Sequence, residues 1–314
     1  MKKGVMIGIV IGVVILLGVV IFLLIGPKPN PEDREMGENL VKNASWQPKG
    51  VAISGQYADA EIVSLGTGNG YRMYYSEEPE VAGFSGKLYS ATSSDGIIWS
   101  QESGVRKEWA TFPSVMKLED DRYRLYFQND GKIKSAISSD GLTFSEESGV
   151  RMDSANSLGL VFENVAAPTV IKTGNDYVMV YRGTINERYT AEQVPNSNTQ
   201  LFLWATSNDG LNFEKRGIAI DSRNSVFKGL LDGCEFVQWD NGVARLYFWS
   251  YSGVYHVVFN GSFSEEEFDF STGTGSGQPF PENPPADPTL MKINDEWFMY
   301  YGQHGRGIYY ANLE

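Results

Sequence analysis

The chain has one cysteine, Cys234, so no disulfide can form within it and the folded part must rely on its core even in an oxidising compartment. Basic residues are also scarce, 26 Lys plus Arg against 39 Asp plus Glu, and the net charge of -13 repels a phosphate backbone. Nucleic acid is therefore excluded as a partner. No zinc-type Cys/His spacing, glycine-rich phosphate loop or dinucleotide fingerprint occurs. Beyond Ala44 no long segment carries a helical period. Hydrophobic residues still make up 42% of the chain and aromatics 13%, enough for a sizeable core and too many for a disordered protein.

One long apolar run is present, from Gly4 to Gly26, preceded by Lys2 and Lys3. At about 1.5 Å per residue it reaches roughly 34 Å, against about 30 Å of bilayer hydrocarbon. Residues 1–26 are expected to be an uncleaved transmembrane signal anchor, since no small-x-small cleavage site is clear. The lysines on one side and "PEDREMGE" on the other keep the N-terminus cytoplasmic. The chain is then a single-pass protein of the cell membrane with an extracytoplasmic C-terminal domain. Pro27, Pro29 and Pro31 stiffen an acidic linker over residues 27–43. Two sequons, at Asn43 and Asn260, fit an exported surface.

The rest, residues 44–314, reads as all-β. Aromatic runs "YRMYY", "YRLYF", "YVMVY", "ARLYF" and "WFMYY" begin at Tyr71, Tyr123, Tyr177, Ala244 and Trp297. Each has a short apolar run before it and another after it, which makes five similar units. In the first three, "ATSSDGIIWS", "AISSDGLTFS" and "ATSNDGLNFE" supply a tight Asp-Gly turn, so Asp95, Asp140 and Asp209 are turn residues. The first four units have a fourth run and the fifth does not. "WQPKGVAI", from Trp46, resembles "FEKRGIAI", from Phe213, and supplies the missing strand if the chain closes on itself. The expected fold is a five-bladed β-propeller whose N-terminal strand completes the last blade. A β-sandwich also uses short strands, but it does not repeat a four-strand unit five times with the deficit filled from the opposite terminus.

The phrase A-[TI]-S-[SN]-D-G-x-x-[WF] after an aromatic strand resembles the blades of the arabinanase, β-xylosidase and invertase superfamily of five-bladed glycosidases, over residues 46–314. It is also similar to the sialidase Asp-box, but is one residue short of it. The resemblance implies an Asp base on the first inner strand, a pKa-tuning Asp on the third and a Glu acid on the fourth. Asp59 and Glu235 match the first and last, with Asp232 the other candidate acid. The third place departs from the pattern: Ala167 precedes Pro168, and Asp-Pro occurs instead as Asp287-Pro288 in the fifth unit. The resemblance also implies no required cofactor, but a calcium ion near a central histidine, here His304.

Long connectors after Tyr75 and Tyr181 mark the ligand-facing side, opposite the Asp-Gly turns. Arg182, Trp249, Tyr251, Asp287 and Gln128 fall on that side as candidate carbohydrate-binding residues. Hydrolysis of a glycoside needs one carboxyl as acid and another as base or nucleophile. Two readings follow: a glycoside hydrolase, or a non-catalytic carbohydrate-binding or surface-interaction propeller. Cys234 is expected to be a small buried hydrophobe rather than a nucleophile.

Overall fold

The computed structural model describes residues 45–79, 81–155, 158–194, 198–224, 226–272 and 284–314. The expected anchor and linker, and the Asn43 sequon, lie outside the described residues. Among the described residues no helix is long and apolar enough to cross a membrane.

Strand β1 (Trp46–Ser54) leads into blade 1, formed by β2 (Tyr57–Ser64), β3 (Tyr71–Glu77), β4 (Leu88–Ser93) and the short β5 (Ser100–Gln101). Blade 2 holds β6 (Thr111–Lys117), β7 (Tyr123–Asn129), β8 (Lys132–Ser138) and β9 (Ser145–Glu146). Blade 3 holds β10 (Asn164–Thr173), β11 (Asp176–Ile185), β12 (Thr199–Ser207) and β13 (Glu214–Ile220). Blade 4 holds β14 (Asp232–Gln238), β15 (Ala244–Ser250), β16 (Gly253–Phe259) and β17 (Glu267–Phe270). Blade 5 has only β18 (Ala286–Ile293), β19 (Glu296–Gln303) and β20 (Gly307–Leu313) from the C-terminal end. Its fourth strand is β1, antiparallel to β20 from Trp46↔Leu313 to Ser54↔Gly307. The Ser45 and Glu314 backbones exchange hydrogen bonds of 2.7 and 3.0 Å beyond that register. The ring therefore closes head to tail, with the outer strand of blade 5 supplied by β1.

The core is divided among the junctions between blades. Five apolar clusters each combine residues of two neighbouring blades, and the last joins Ile53, Ile293 and Tyr300 to Ile62 and Met73 of blade 1. Alternation along β3, β7 and β19 sends Met73, Leu125 and Met299 to one side and Tyr74, Tyr126 and Tyr300 to the other, all fully buried. This explains the repeated aromatic runs, because a central strand packs both of its faces against neighbouring blades.

The repeated Asp-Gly phrase is a second device for holding blades together. Asp95 Oδ1 accepts the Ile97 and Ile98 N–H groups at 2.8 and 2.9 Å, and Asp140 and Asp209 repeat the arrangement. Those bonds hold all three carboxyls below the usual range, Asp140 at about 2. Each shaped turn then offers a carbonyl to the blade before it: Tyr74 donates to Gly141 at 2.8 Å, Tyr126 to Gly210 at 2.8 Å and Tyr300 to Gly96 at 2.7 Å. Gly96 is obligatory, since its φ is +76° and a Cβ there would lie 2.4 Å from Ile293 Cδ1. Blade 4 has no such turn ahead of it, and at its junction with blade 5 Trp239 stacks on Trp297 with centroids 4.1 Å apart.

Candidate active site

Every inner strand is interrupted near its start by a β-bulge, at Ala58/Glu61, Thr111/Ser114, Ala166/Thr169, Asp232/Cys234 and Ala286/Thr289. One residue in each bulge lies in the left-handed region: Asp59 (φ 52°), Phe112 (48°), Ala167 (45°), Gly233 (39°) and Asp287 (47°). Only one of the five is glycine, so the ring imposes this conformation rather than the local sequence. The five residues line a common axial cavity of about 20 Å³, room for a single water. The second strands present Ser76, Gln128, Arg182, Trp249 and Gly302 at matching register.

This frame gathers three carboxyl groups. Asp59 Oδ2 accepts the Ser76 hydroxyl at 2.5 Å and the Phe112 N–H at 3.2 Å, leaving Oδ1 as the oxygen able to take a proton. Asp287 Oδ1 accepts the Trp249 indole N–H at 3.0 Å. Asp232 is ion-paired with Arg182 and accepts the Gly233 N–H at 2.9 Å. The Arg182 guanidinium in turn lies over the Phe112 ring, 5.4 Å from its centroid. All but the Gly233–Asp232 bond, which joins neighbours in one strand, cross from one blade to the next or run between paired strands.

Burial and crowding separate the carboxyls electrostatically. Asp59 is pushed up to about 6, chiefly by burial and further by Asp232 and Glu78, against the lowering effect of its two hydrogen bonds. Asp287 is raised well above the carboxylate range, first by burial and then by Asp59 and Asp232. Asp59 is therefore mostly ionised near neutral pH, while burial and its two neighbouring carboxyls favour the protonated form of Asp287. Cys234 is partly buried rather than fully so; desolvation pushes its thiol up, and it donates to the Ala167 carbonyl at 3.5 Å.

Glu235 and Asp232 stand at different levels of blade 4. The sequence pattern puts Glu235 in line with the prolines of other blades, but the bulge register gives that place to Cys234. Glu235 falls one step deeper, level with Glu61, Ser114, Thr169 and Thr289. Side chains at this level bind the backbone of the following blade: Glu61 accepts Val115 N–H at 3.0 Å, Ser114 accepts Val170 at 3.3 Å, Thr169 accepts Phe236 at 2.9 Å and Glu235 accepts Leu290 at 2.7 Å. Glu235 thus ties blade 4 to blade 5 through one carboxyl oxygen and also lines the axial cavity.

Those ties make stability depend on pH. Burial raises Glu61 to about 8, and burial together with Glu61 raises Glu235 well above its ordinary value. Glu61 stays protonated in the native protein at pH values where the unfolded chain has lost that proton, so the unfolded state binds fewer protons between about 4.5 and about 8. Stability falls as pH rises through that window and levels off above it. Glu61→Gln keeps an acceptor for Val115 and has no proton to lose. Its melting temperature should drop less than that of the wild type between about pH 5 and about pH 8. Parallel curves would contradict the assignment.

The other expected residues spread along the rim. Gln128 faces Thr111 in the blade 2 ladder, and its Oε1 is buried without a hydrogen-bond partner. Tyr251 lies under Lys228, whose Nζ is 5.8 Å from the ring centroid. His304 Nδ1 stands 3.6 Å from Glu78 Oε1, with the imidazole 6.0 Å from the Trp249 ring. Glu78 is thus a buried site residue that the sequence reading missed; its position two residues beyond Ser76 matches that of His304 beyond Gly302. Among the described residues no three His, Cys, Asp or Glu side chains are grouped to hold a metal ion, so no step below runs through one.

No family model matches the sequence, and no curated protein matches it. Solved structures do share its fold. A family-43 β-xylosidase/α-arabinofuranosidase from a compost microbial metagenome, in complex with xylotriose and calcium-free, is 15% identical with a TM-score of 0.58, covering 85% of this chain and 96% of that one. The GH43_1 enzyme from Xanthomonas citri, complexed with xylose, is 12% identical with a TM-score of 0.58, covering 88% and 92%. A structure from the family of mannoside phosphorylases that contains hydrolases of β-1,2 mannosidic linkages in Candida mannan is 14% identical with a TM-score of 0.58, covering 82% and 84%. The chain has the five-bladed, glycosidase-like propeller fold of these proteins.

Proposed function

We propose that this chain is a membrane-anchored, extracytoplasmic, carbohydrate-active propeller in which Asp59 and Asp287 divide the acid–base work of cleaving a glycosidic bond. The observation that carries this reading is the pair itself: carboxyls of the first and last blades that line one cavity, one near 6 and the other pushed upward by burial and by its neighbours. Two titratable groups driven apart by their surroundings are the usual mark of an acid and a base at work together.

In this scheme Asp287 gives its proton to the glycosidic oxygen as that oxygen's bond to the anomeric carbon breaks. Asp59 takes a proton from the water whose oxygen forms the new bond to that carbon. Asp287 is left ionised and Asp59 protonated, and exchange with solvent restores both. Trp249 orients Asp287 through its indole N–H, and Arg182 offsets the charge of Asp232. The solved counterparts with xylose or xylotriose support a sugar as ligand. Lys2, Lys3 and the apolar run to Gly26 support the anchor.

The second reading, a binding module without catalysis, is favoured by Ala167 and Gly233 at the third- and fourth-blade positions where the glycosidase pattern calls for carboxylates. Assay of the detergent-solubilised full-length chain on aryl furanosides, xylosides and hexosides separates the two. Turnover whose acid limb lies near pH 6 supports the hydrolase, through ionisation of Asp59. Sugar binding without turnover supports the second reading, and neither binding nor turnover defeats both.

A further inference from the structure

Trp109 has a backbone conformation that its bulk disfavours and an exposure that its apolarity disfavours. Its φ is 54°, in the left-handed region, where a large side chain is a true outlier. Yet 56% of its surface is exposed, so core packing does not account for the strain. The neighbours grip its backbone rather than its ring. Trp109 N–H donates to the Ser85 carbonyl at 3.2 Å, Ala110 N–H donates to Gly86 at 2.9 Å, and Asn129 Nδ2 donates to the Trp109 carbonyl at 2.9 Å. Gly86, itself at φ +57°, comes so close that a Cβ would stand 3.1 Å from Trp109 Cα. The connector between β3 and β4 and the end of β7 are thus shaped to hold this one residue at the rim. Its ring meets Phe84 edge-on, with centroids 6.4 Å apart.

The position of Trp109 connects this feature to the carboxyls. Three residues further on, Phe112 donates its N–H to Asp59 Oδ2 at 3.2 Å. Three residues span at most about 10 Å, so the indole stands within the reach of a short oligosaccharide from Asp59.

Building on the carbohydrate reading, we propose that Trp109, edged by Phe84, is a stacking platform for a second sugar ring of a substrate whose first ring lies over the entrance of the narrow cavity that Asp59 and Asp287 line. A flat, exposed indole face packs against the C–H face of a sugar and gains by removing both from water. Asp59 and Glu78 bring carboxyl groups to the site and Arg182 is already paired with Asp232, so the ligand is a neutral oligosaccharide rather than an acidic one.

Trp109→Asn tests this, because asparagine tolerates the left-handed conformation and leaves the backbone grip intact. Affinities of the solubilised full-length chain for xylo-, arabino- and manno- monosaccharide and trisaccharide pairs are measured by calorimetry, alongside melting temperatures. The wild type should prefer a trisaccharide to its monosaccharide, and the variant should lose about tenfold of that preference while melting at the same temperature or higher. An undiminished preference in Trp109→Asn, no preference in the wild type, or a variant that melts several degrees lower each overturns the platform while the carbohydrate reading stands. Failure of the wild type to bind any of the sugars overturns both.

Discussion

Asp59→Asn is expected to lower kcat by about a hundred- to ten-thousand-fold on any glycoside the protein turns over, the range for loss of a positioned acid or base. The amide cannot accept the proton of the attacking water. Its oxygen can take the place of Oδ2 and accept both the Ser76 hydroxyl and the Phe112 N–H, with the NH2 group in the place of Oδ1. Little change in melting temperature is therefore expected beside the large kinetic loss, and the two are separable. Asp287→Asn should reduce kcat comparably on substrates with poor leaving groups, because no proton reaches the departing oxygen. With a dinitrophenyl leaving group, which departs without protonation, Asp287→Asn should recover much of its rate and Asp59→Asn should not. That crossed pattern assigns the roles; equal losses on both substrates would reverse or dissolve the assignment.

Gly233→Ala is the second large effect. A Cβ at residue 233 would sit 1.9 Å from Asp287 Oδ1 and 2.7 Å from Asp287 Cα. Backbone strain is not the reason glycine is needed, since Asp59, Phe112, Ala167 and Asp287 adopt the same conformation with side chains. The requirement is the close approach of blade 5, and in particular of the proposed acid. Overpacking of this kind costs roughly 1 to 3 kcal/mol, and about 2 to 4 °C in melting temperature for each kcal/mol in a domain of this size. Because the displaced group is Asp287, activity should fall further than stability does. In a double-mutant cycle, Asp287→Ala should restore part of the stability lost in Gly233→Ala, since one of the two clashes is with its side chain. Simple additivity would show that the two residues do not meet.

The ring was legible because its rules are local and repeated. The aromatic runs, the Asp-Gly turns and the likeness of "WQPKGVAI" to "FEKRGIAI" are each dictated by burial on two faces, turn chemistry and closure, and each leaves a mark on consecutive residues. Asp59, Asp232, Asp287, Arg182 and Trp249 were also reachable, as polar groups or aromatics at strand ends on the side with long connectors. The bulge was not. It adds residues to one strand of a pair without a fixed sequence mark, as the five different residues Asp59, Phe112, Ala167, Gly233 and Asp287 at its left-handed position make plain. Without the bulge register, the place of Glu235 beside Glu61 among the ties between blades is invisible. Glu78 and Trp109 were missed because connectors carry no periodicity by which to align them.

The account depends most directly on the unequal protonation of Asp59 and Asp287, and carbon NMR titration of the aspartate carboxyls in labelled protein, assigned with the two Asn variants, measures it. Asp59 should titrate near 6, and Asp287 in a separate step well above the ordinary aspartate value. If both titrate together near 4, the ordinary aspartate value, the pair is not divided into acid and base and the proposed chemistry fails.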